Sequence, residues 1–292
     1  MKRMAAWIAA MASGAAAQTV PPKWNEPFPP HRVVGNVYYV GTSFLACFLI
    51  TTREGNILVN SGLEQSVPLI RASIEKLGFR FEDTKILLES HAHIDHVAGH
   101  ALVKKLTGAQ VFAMAGDAEV IAAGGAGDFQ YEQQWHWAPC RVDRILQDGE
   151  TVTLGDTVLT AHLTPGHTRG CTAWSLNELE NGKSLRVVIV GSARANPGYR
   201  LVDNSKYPQI AEDFKRTFRV LQSLDCDVFL GAHGWYYGME AKFARIGRSA
   251  ENPFIDPGGY REFVAVSERA FLQELSIQQG RVGVDSKKHS SE

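Results

Sequence analysis

Three histidines and one aspartate lie within six residues of this chain, in the stretch Ser90-His91-Ala92-His93-Ile94-Asp95-His96. The stretch directly follows an apolar run, residues 85–89, that predicts a buried strand, and it precedes a predicted helix at residues 97–106. While the chain stays extended, His91, His93 and Asp95 project from the same face. His96 follows where the chain turns into the helix, so its imidazole is directed toward a neighbouring position.

This cluster predicts a metal site. Imidazole nitrogen and carboxylate oxygen are ligands that zinc accepts, at about 2.0 to 2.2 Å. Without a metal, imidazoles packed this closely would repel one another when protonated and would be costly to desolvate. An isolated histidine is more often a structural or surface residue, and we assign no metal to the five histidines outside the motifs, which are His31, His100, His136, His162 and His289.

Two later loops each place a histidine after a predicted strand. His167 lies in the sequence T-P-G-H-T that follows residues 157–163, and His233 lies in G-A-H-G after residues 226–230. Either loop alone is a weak signal. Together with the first cluster they complete two three-residue ligand sets.

Composition and charge exclude several classes of protein. The chain has 292 residues, of which 45% are hydrophobic, so it is long enough to bury one large core. Its 30 basic residues are balanced by 31 acidic ones, so no excess positive field favours a nucleic-acid partner. The 27 glycines are scattered rather than periodic, which is typical of a turn-rich globular enzyme.

The first 17 residues resemble a bacterial secretory signal peptide. Lys2 and Arg3 precede an apolar run, residues 5–12, that is too short for a membrane-spanning helix of about 20 residues. Alanines at 15–17 supply a cleavage site. We therefore predict a signal peptide at 1–17, a mature domain at 18–292 and a periplasmic or secreted protein, with a buried N-terminal helix as the alternative.

The remaining pattern alternates strands with helices in two halves. Strands are predicted at residues 36–40, 47–52, 57–59, 85–89, 110–114, 151–154, 157–163, 172–176, 185–190 and 226–230, and helices at 66–77, 97–106, 117–123 and 210–224. Residues 124–139 have no period and read as a functional lid. Since no low-complexity linker divides the halves, we expect one α/β domain of four layers. The four cysteines show no C-x-x-C spacing, and no disulfide is predicted.

The H-x-H-x-D-H turn, the T-P-G-H-T loop and the final G-A-H resemble the metallo-beta-lactamase superfamily, over residues 24–271. The unbroken ligand series resembles the third subclass of class B beta-lactamases. The first subclass would carry a cysteine, and relatives such as glyoxalase II a bridging aspartate, at the strand end where this chain has Ser192. The resemblance implies an αβ/βα sandwich with its metal site at one edge.

The resemblance also implies the ligands and the chemistry. One Zn²⁺ would be bound by His91, His93 and His167, and a second by Asp95, His96 and His233. A water shared by the two ions would attack a lactam carbonyl as hydroxide, with Asp95 orienting it and relaying its proton. The expected partner is a small beta-lactam, a penicillin, cephalosporin or carbapenem. We expect no nucleic-acid or membrane partner and a monomeric chain.

Four residues are candidate substrate contacts: Ser192, Arg194, Tyr131 and Trp135. Arg194 stands where the third subclass usually has a second serine, and its guanidinium could pair with the substrate carboxylate. Tyr131 and Trp135 could form an apolar wall. A solvated arginine and ordinary packing of the aromatic rings are the alternatives.

Asn60 departs from the family pattern, which usually has an aspartate at this position supporting the metal loops. Loss of that charge is expected to weaken zinc binding. Two other functions therefore stay open, a metallo-hydrolase that acts on a lactone or thioester and a zinc-binding protein with little catalysis. Ser192, in place of a bridging aspartate, argues against the first of these.

Overall fold

Twelve strands form two sheets in the computed structural model, which describes residues 20–289. The strands are β1 (His31–Val34), β2 (Val37–Tyr39), β3 (Phe48–Thr52), β4 (Gly55–Val59), β5 (Thr84–Leu88), β6 (Gln110–Met114), β7 (Arg144–Leu146), β8 (Thr151–Leu154), β9 (Thr157–Leu163), β10 (Thr172–Glu180), β11 (Lys183–Val190) and β12 (Val228–Gly231). The first sheet has the order β1 to β7, and the second has the order β12-β11-β10-β9-β8. The expected signal peptide, residues 1–17, lies outside the described residues.

The α-helices are α1 (Val67–Lys76), α2 (Ile94–Val97), α3 (His100–Thr107), α4 (Ala115–Ala122), α5 (Ile210–Ser223), α6 (Met239–Phe243) and α7 (Pro257–His289). None of the helices within residues 20–289 is both long enough and apolar enough to cross a membrane. The predicted strands and helices are confirmed to within a few residues at most ends. Four elements, β1, β7, α6 and α7, were not predicted from the sequence, and the helix predicted at 97–106 is divided into α2 and α3.

Strand direction gathers the loops that carry the histidines. β4, β5 and β6 run parallel in the first sheet. In the second sheet β10 is antiparallel to both β9 and β11, while β11 and β12 are parallel, so β9, β11 and β12 share one direction. The segments that follow β5, β9 and β12 contain the six predicted ligands.

Successive side chains of a strand point to opposite faces of its sheet, and this produces the layers of the fold. In β3, Phe48 and Ile50 enter the core between the two sheets, whereas Leu49 packs on the other face with Ile70 and Ile74 of α1. On the second sheet, α5 and α7 contribute residues to the same core as the strands. The result is the expected four-layer αβ/βα sandwich. All four cysteines are buried free thiols.

Candidate metal centre

His91 and His93 follow β5, and the chain turns into α2 immediately after them. His93 has an extended backbone (φ −110°, ψ 154°) at the N-cap of α2, and Asp95 and His96 lie in the helix that follows. This change from strand to helix explains why neighbouring residues point to two adjoining places. All four side chains are buried, with Asp95 at 8% exposure and His96 at 0%.

The structure brings together the three histidines predicted for the first zinc. Ligand atoms of His91, His93 and His167 all lie within 4.8 Å of one another. The ring centroid of His91 lies 4.8 Å from that of His93 and 4.5 Å from that of His167. Ligand atoms this close together are suited to holding one zinc ion.

The second predicted set adjoins the first. Oδ2 of Asp95 lies 3.3 Å from Nε2 of His96 and 3.7 Å from Nε2 of His233. The rings of His96 and His233 are 4.8 Å apart. His91 is also within 4.8 Å of the ligand atoms of Asp95 and His96, so the two sets share a boundary at His91.

The electrostatics of the cluster fit bound cations. Buried nitrogen atoms of His93, His96 and His233 have no hydrogen-bond partner among the described residues. Burial, together with the neighbouring imidazoles, lowers the pKa of His93 to about 4 and that of His233 to about 3, and holds the pKa of His91 and His167 well below the usual range. These histidines are therefore neutral at pH 7, with lone pairs free to bind a metal.

The pKa of Asp95 is lowered by its neighbours more than it is raised by burial. Burial by itself would raise the pKa of this carboxyl, but His96, followed by His233 and His93, lowers it below the usual range for aspartate. The carboxylate is therefore ionised at neutral pH. A negative oxygen beside several imidazole nitrogens is a donor set suited to a divalent cation.

Hydrogen bonds behind the ligands orient them. Nδ1–H of His167 donates to the Arg194 carbonyl at 2.7 Å, which leaves Nε2 directed at the metal site. The amide of Asn60 donates from Nδ2 to the Ala46 carbonyl at 3.2 Å, and its Oδ1 accepts from the Ser90 NH at 2.8 Å. Asn60 therefore fixes the residue that precedes His91.

Asp117 was missed by the sequence analysis. Its buried carboxylate, in α4, accepts hydrogen bonds from both ligand loops, at the NH of Ala92 and at the Thr168 hydroxyl. Nothing local marks this residue, because its partners are distant in the chain. Its position makes it a support for both loops.

A cavity of about 390 Å³ opens over the metal ligands. Of the four candidate substrate contacts, Arg194, Tyr131 and Trp135 line it. Ser192 does not, because its fully buried hydroxyl lies 3.2 Å from the Tyr236 hydroxyl and accepts from the NH of Arg194 at 3.3 Å. Ser192 thus supports the turn that carries Arg194. The cavity is also lined by residues that sequence analysis missed, including Lys23, Trp24, Phe44, Trp235 and Tyr236.

Known proteins share the sequence profile and the fold of this chain. Residues 40–233 match the sequence profile of the metallo-beta-lactamase superfamily. The structure is similar to that of the FEZ-1 metallo-beta-lactamase from Legionella gormanii, which is 50% identical with a TM-score of 0.86, and the match covers 87% of this chain and 98% of that one. It is also similar to the class B3 di-zinc enzyme LRA-12 from an Alaskan soil metagenome, at 35% identity and a TM-score of 0.83, over 88% of this chain and 97% of that one.

Matches among curated proteins are shorter. The hydroxyacylglutathione hydrolase of Rhodospirillum rubrum is 28% identical over 105 residues, which is 36% of this chain and 33% of that protein. The chain matches less than half the length of the curated relatives. The family profile, the class B3 neighbours and the shared fold place this chain in the metallo-beta-lactamase superfamily.

Proposed function

We propose that this protein is a zinc-dependent beta-lactamase that hydrolyses the lactam amide of penicillins, cephalosporins and carbapenems. The observation that carries the proposal is a pair of adjoining ligand sets of which five residues line one cavity, with the sixth, His96, fully buried beside Asp95. The first set is His91, His93 and His167, and the second is Asp95, His96 and His233. The named B3 neighbours, one of them a di-zinc enzyme, support two zinc ions per chain.

The chemistry that bound zinc supplies is Lewis-acid polarisation of a carbonyl oxygen and activation of water near neutral pH. Asp95 lines the cavity and stays ionised, so its carboxylate can orient the attacking water. The same carboxylate can relay a proton from that water to the amide nitrogen as the C–N bond breaks. Water supplies the oxygen atom of the new carboxylate, so no covalent bond to the protein is needed.

Substrate orientation is assigned to Arg194 and the aromatic residues of the cavity. Arg194 is exposed at the cavity wall, where its guanidinium can pair with the carboxylate of a beta-lactam. The Tyr131 ring lies 5.1 Å from that of His93, so it packs beside the reacting centre. Trp135 extends the apolar wall toward Trp24, at 6.4 Å between ring centroids.

The test is hydrolysis of a penicillin, a cephalosporin and a carbapenem by the zinc-loaded protein, with and without a chelator. His93→Ala removes a ligand, and His162→Gln is its matched control, because His162 lies on β9 and its ring bonds to Ser175 and to no other side chain among residues 20–280. Loss of a hydrogen-bond partner of a metal ligand typically lowers activity about 10- to 100-fold. We therefore expect His93→Ala, which loses a ligand itself, to lower kcat/KM by more than that and the control variant to keep most of its activity. Two bound zincs without turnover of any beta-lactam would reject the proposal.

A thioester or lactone substrate is the second candidate, favoured by the match to hydroxyacylglutathione hydrolase. A higher kcat/KM on such an ester than on any beta-lactam would support it. Binding of zinc with no hydrolysis of either class would indicate a zinc-binding protein instead.

We also propose that the protein acts in the periplasm or outside the cell, because residues 1–17 carry a basic start, a short apolar run and small residues at 15–17. N-terminal sequencing of the exported protein tests this. A mature chain that starts at Gln18 is the expected result.

A further inference from the structure

Two cations line the same cavity as the metal ligands. They are Lys23 and Arg194, and both side chains belong to exposed residues. Neither forms an ion pair with an acidic side chain within residues 20–280. Asp95 is the one acid among the described residues that line this cavity, and it belongs to the predicted metal site. The cavity mouth therefore holds positive charge that no acidic side chain among residues 20–280 pairs with.

Aromatic rings hold both cations in place. Nζ of Lys23 lies 4.6 Å from the centroid of the Phe44 ring, and Cζ of Arg194 lies 5.0 Å from the Trp235 ring. Both rings in turn pack on His233, at 5.2 Å for Phe44 and 5.9 Å for Trp235. A cation over an aromatic face is attracted to it, so each charge is held one ring away from the same predicted ligand.

The segment that carries Lys23 is anchored at several points. Thr42 donates its hydroxyl proton to the Trp24 carbonyl at 2.8 Å, and the NH of Ser43 donates to the Glu26 carbonyl at 2.8 Å. The Trp24 ring also stacks on Phe44 at 6.4 Å. These contacts make the segment a fixed wall of the cavity rather than a trailing end.

We propose that the cavity favours beta-lactams with two anionic groups. Arg194 binds the carboxylate on the lactam-fused ring, and Lys23 binds a second anion, such as a side-chain carboxylate. This inference rests on the proposed beta-lactamase function. It assigns a role in substrate binding to the segment that carries Lys23, which metal binding alone does not require. It follows from the positions of Lys23 and Arg194, which lie over two different rings that pack on His233.

The test compares benzylpenicillin with carbenicillin, which differ by one carboxylate on the side chain. The measured quantity is the ratio of kcat/KM for carbenicillin to kcat/KM for benzylpenicillin. Lys23→Met keeps an unbranched side chain over Phe44 and removes the charge, whereas Lys23→Arg keeps the charge. Lys183→Met is the control, because Lys183 is an exposed lysine at the start of β11, the end opposite to the turn that carries Arg194.

An ion pair at an exposed site is worth up to about 1 kcal/mol, which is about fivefold, so we expect Lys23→Met to lower the ratio about two- to fivefold, and Lys23→Arg and Lys183→Met to keep the wild-type ratio. High salt should reduce the wild-type ratio toward that of Lys23→Met, since salt screens exposed charges. If benzylpenicillin is hydrolysed but the ratio is the same in wild type and Lys23→Met, this inference is wrong. If benzylpenicillin is not hydrolysed at all, the proposed function itself fails.

Discussion

The Thr168 hydroxyl donates a hydrogen bond of 2.7 Å to Oδ2 of Asp117. The same oxygen accepts the NH of Ala92 at 2.8 Å, and the other oxygen accepts the NH of Gly170 at 2.8 Å. Ala92 lies between two predicted ligands, and Thr168 directly follows His167. One buried carboxylate therefore joins the loop after β5 to the loop after β9.

Asp117→Asn is expected to weaken zinc binding by about 10- to 100-fold, which is the usual effect of losing a residue that holds the metal ligands in place by hydrogen bonds. The asparagine oxygen can still accept two of the three hydrogen bonds, but its NH₂ would face the NH of Gly170. Competition with a zinc chelator measures the affinity. The control is Asp227→Asn, whose carboxylate accepts the NH of Arg186 just before β12, at the end of that strand opposite to His233. Equal zinc affinity in wild type and Asp117→Asn would show that the carboxylate does not position the ligands.

Asp117 illustrates why the ligands were predictable and their support was not. The six ligands lie in short motifs at the ends of strands, and strand direction then brings the motifs to one cavity. Asp117 reaches partners 25 and 51 residues away, so no local spacing reveals it. Lys23 and Trp24 were missed for the same reason, because only the folded chain lays the N-terminal segment against Phe44.

The local sequence pattern also determined which strands and helices could be predicted. The strands β1 and β7 have four and three residues and each contains an arginine, whereas β2 and β8 have the same lengths but consist mostly of β-branched and aromatic residues. In α7 the buried residues Tyr260, Val264, Phe271 and Leu275 do follow helical spacing. This spacing was not recognised in the sequence because polar residues lie between the apolar ones and the helix starts at Pro257-Gly258-Gly259, residues of low helix propensity.

Asn60→Asp is expected to destabilise the protein by about 1 to 3 kcal/mol, because the amide is a donor as well as an acceptor here. A carboxylate would place an oxygen against the Ala46 carbonyl, which now accepts from Nδ2. Urea unfolding of the zinc-loaded protein measures the change in stability. The expectation that the missing charge weakens zinc binding stays a prediction, and the zinc affinity of the same variant tests it.

The backbone at residue 60 needs its own control, because Asn60 has a φ of 65°, a region that asparagine and glycine tolerate. Asn60→Gly keeps the backbone conformation and removes the side chain, so its loss of stability reports the amide together with the greater entropy of glycine in the unfolded chain. If Asn60→Asp is as stable as wild type and binds zinc more tightly, a carboxylate is the better anchor for Ser90.

Removal of metal is expected to lower Tm. A bound ion stabilises the folded state according to its concentration relative to Kd, by about 2.7 kcal/mol at 100 times Kd. Without it, the buried nitrogens of His93, His96 and His233 are left without partners in the described part of the chain. Thermal unfolding after chelation, followed by addition of Zn²⁺ or Mg²⁺, measures the effect. Zinc should restore Tm and magnesium should not, since magnesium prefers oxygen ligands. A Tm that is insensitive to the chelator would argue against a built metal site.

His31 provides a test of pH dependence outside the metal ligands. Its ring is buried and stacks on Tyr39 at 5.2 Å and on Phe254 at 5.5 Å, and Nδ1–H donates to the Pro29 carbonyl at 2.9 Å. Burial lowers the pKa of His31, against the smaller opposing effect of that hydrogen bond. In the unfolded chain a histidine has a pKa of about 6.5. The unfolded state therefore binds more protons below that pH, so the stability that His31 contributes is complete above about pH 6.5 and is lost as pH falls toward its folded pKa.

His31→Phe removes this titration and keeps an aromatic ring in the cluster. We expect Tm of the zinc-loaded wild type to fall more steeply between pH 7 and pH 5 than Tm of the variant, although the variant loses the hydrogen bond to Pro29 at every pH. Comparing slopes rather than absolute Tm values separates the two effects, because a lost hydrogen bond shifts the whole curve. Parallel curves would mean that His31 has the same pKa folded and unfolded, and that its buried position carries no proton-linked cost.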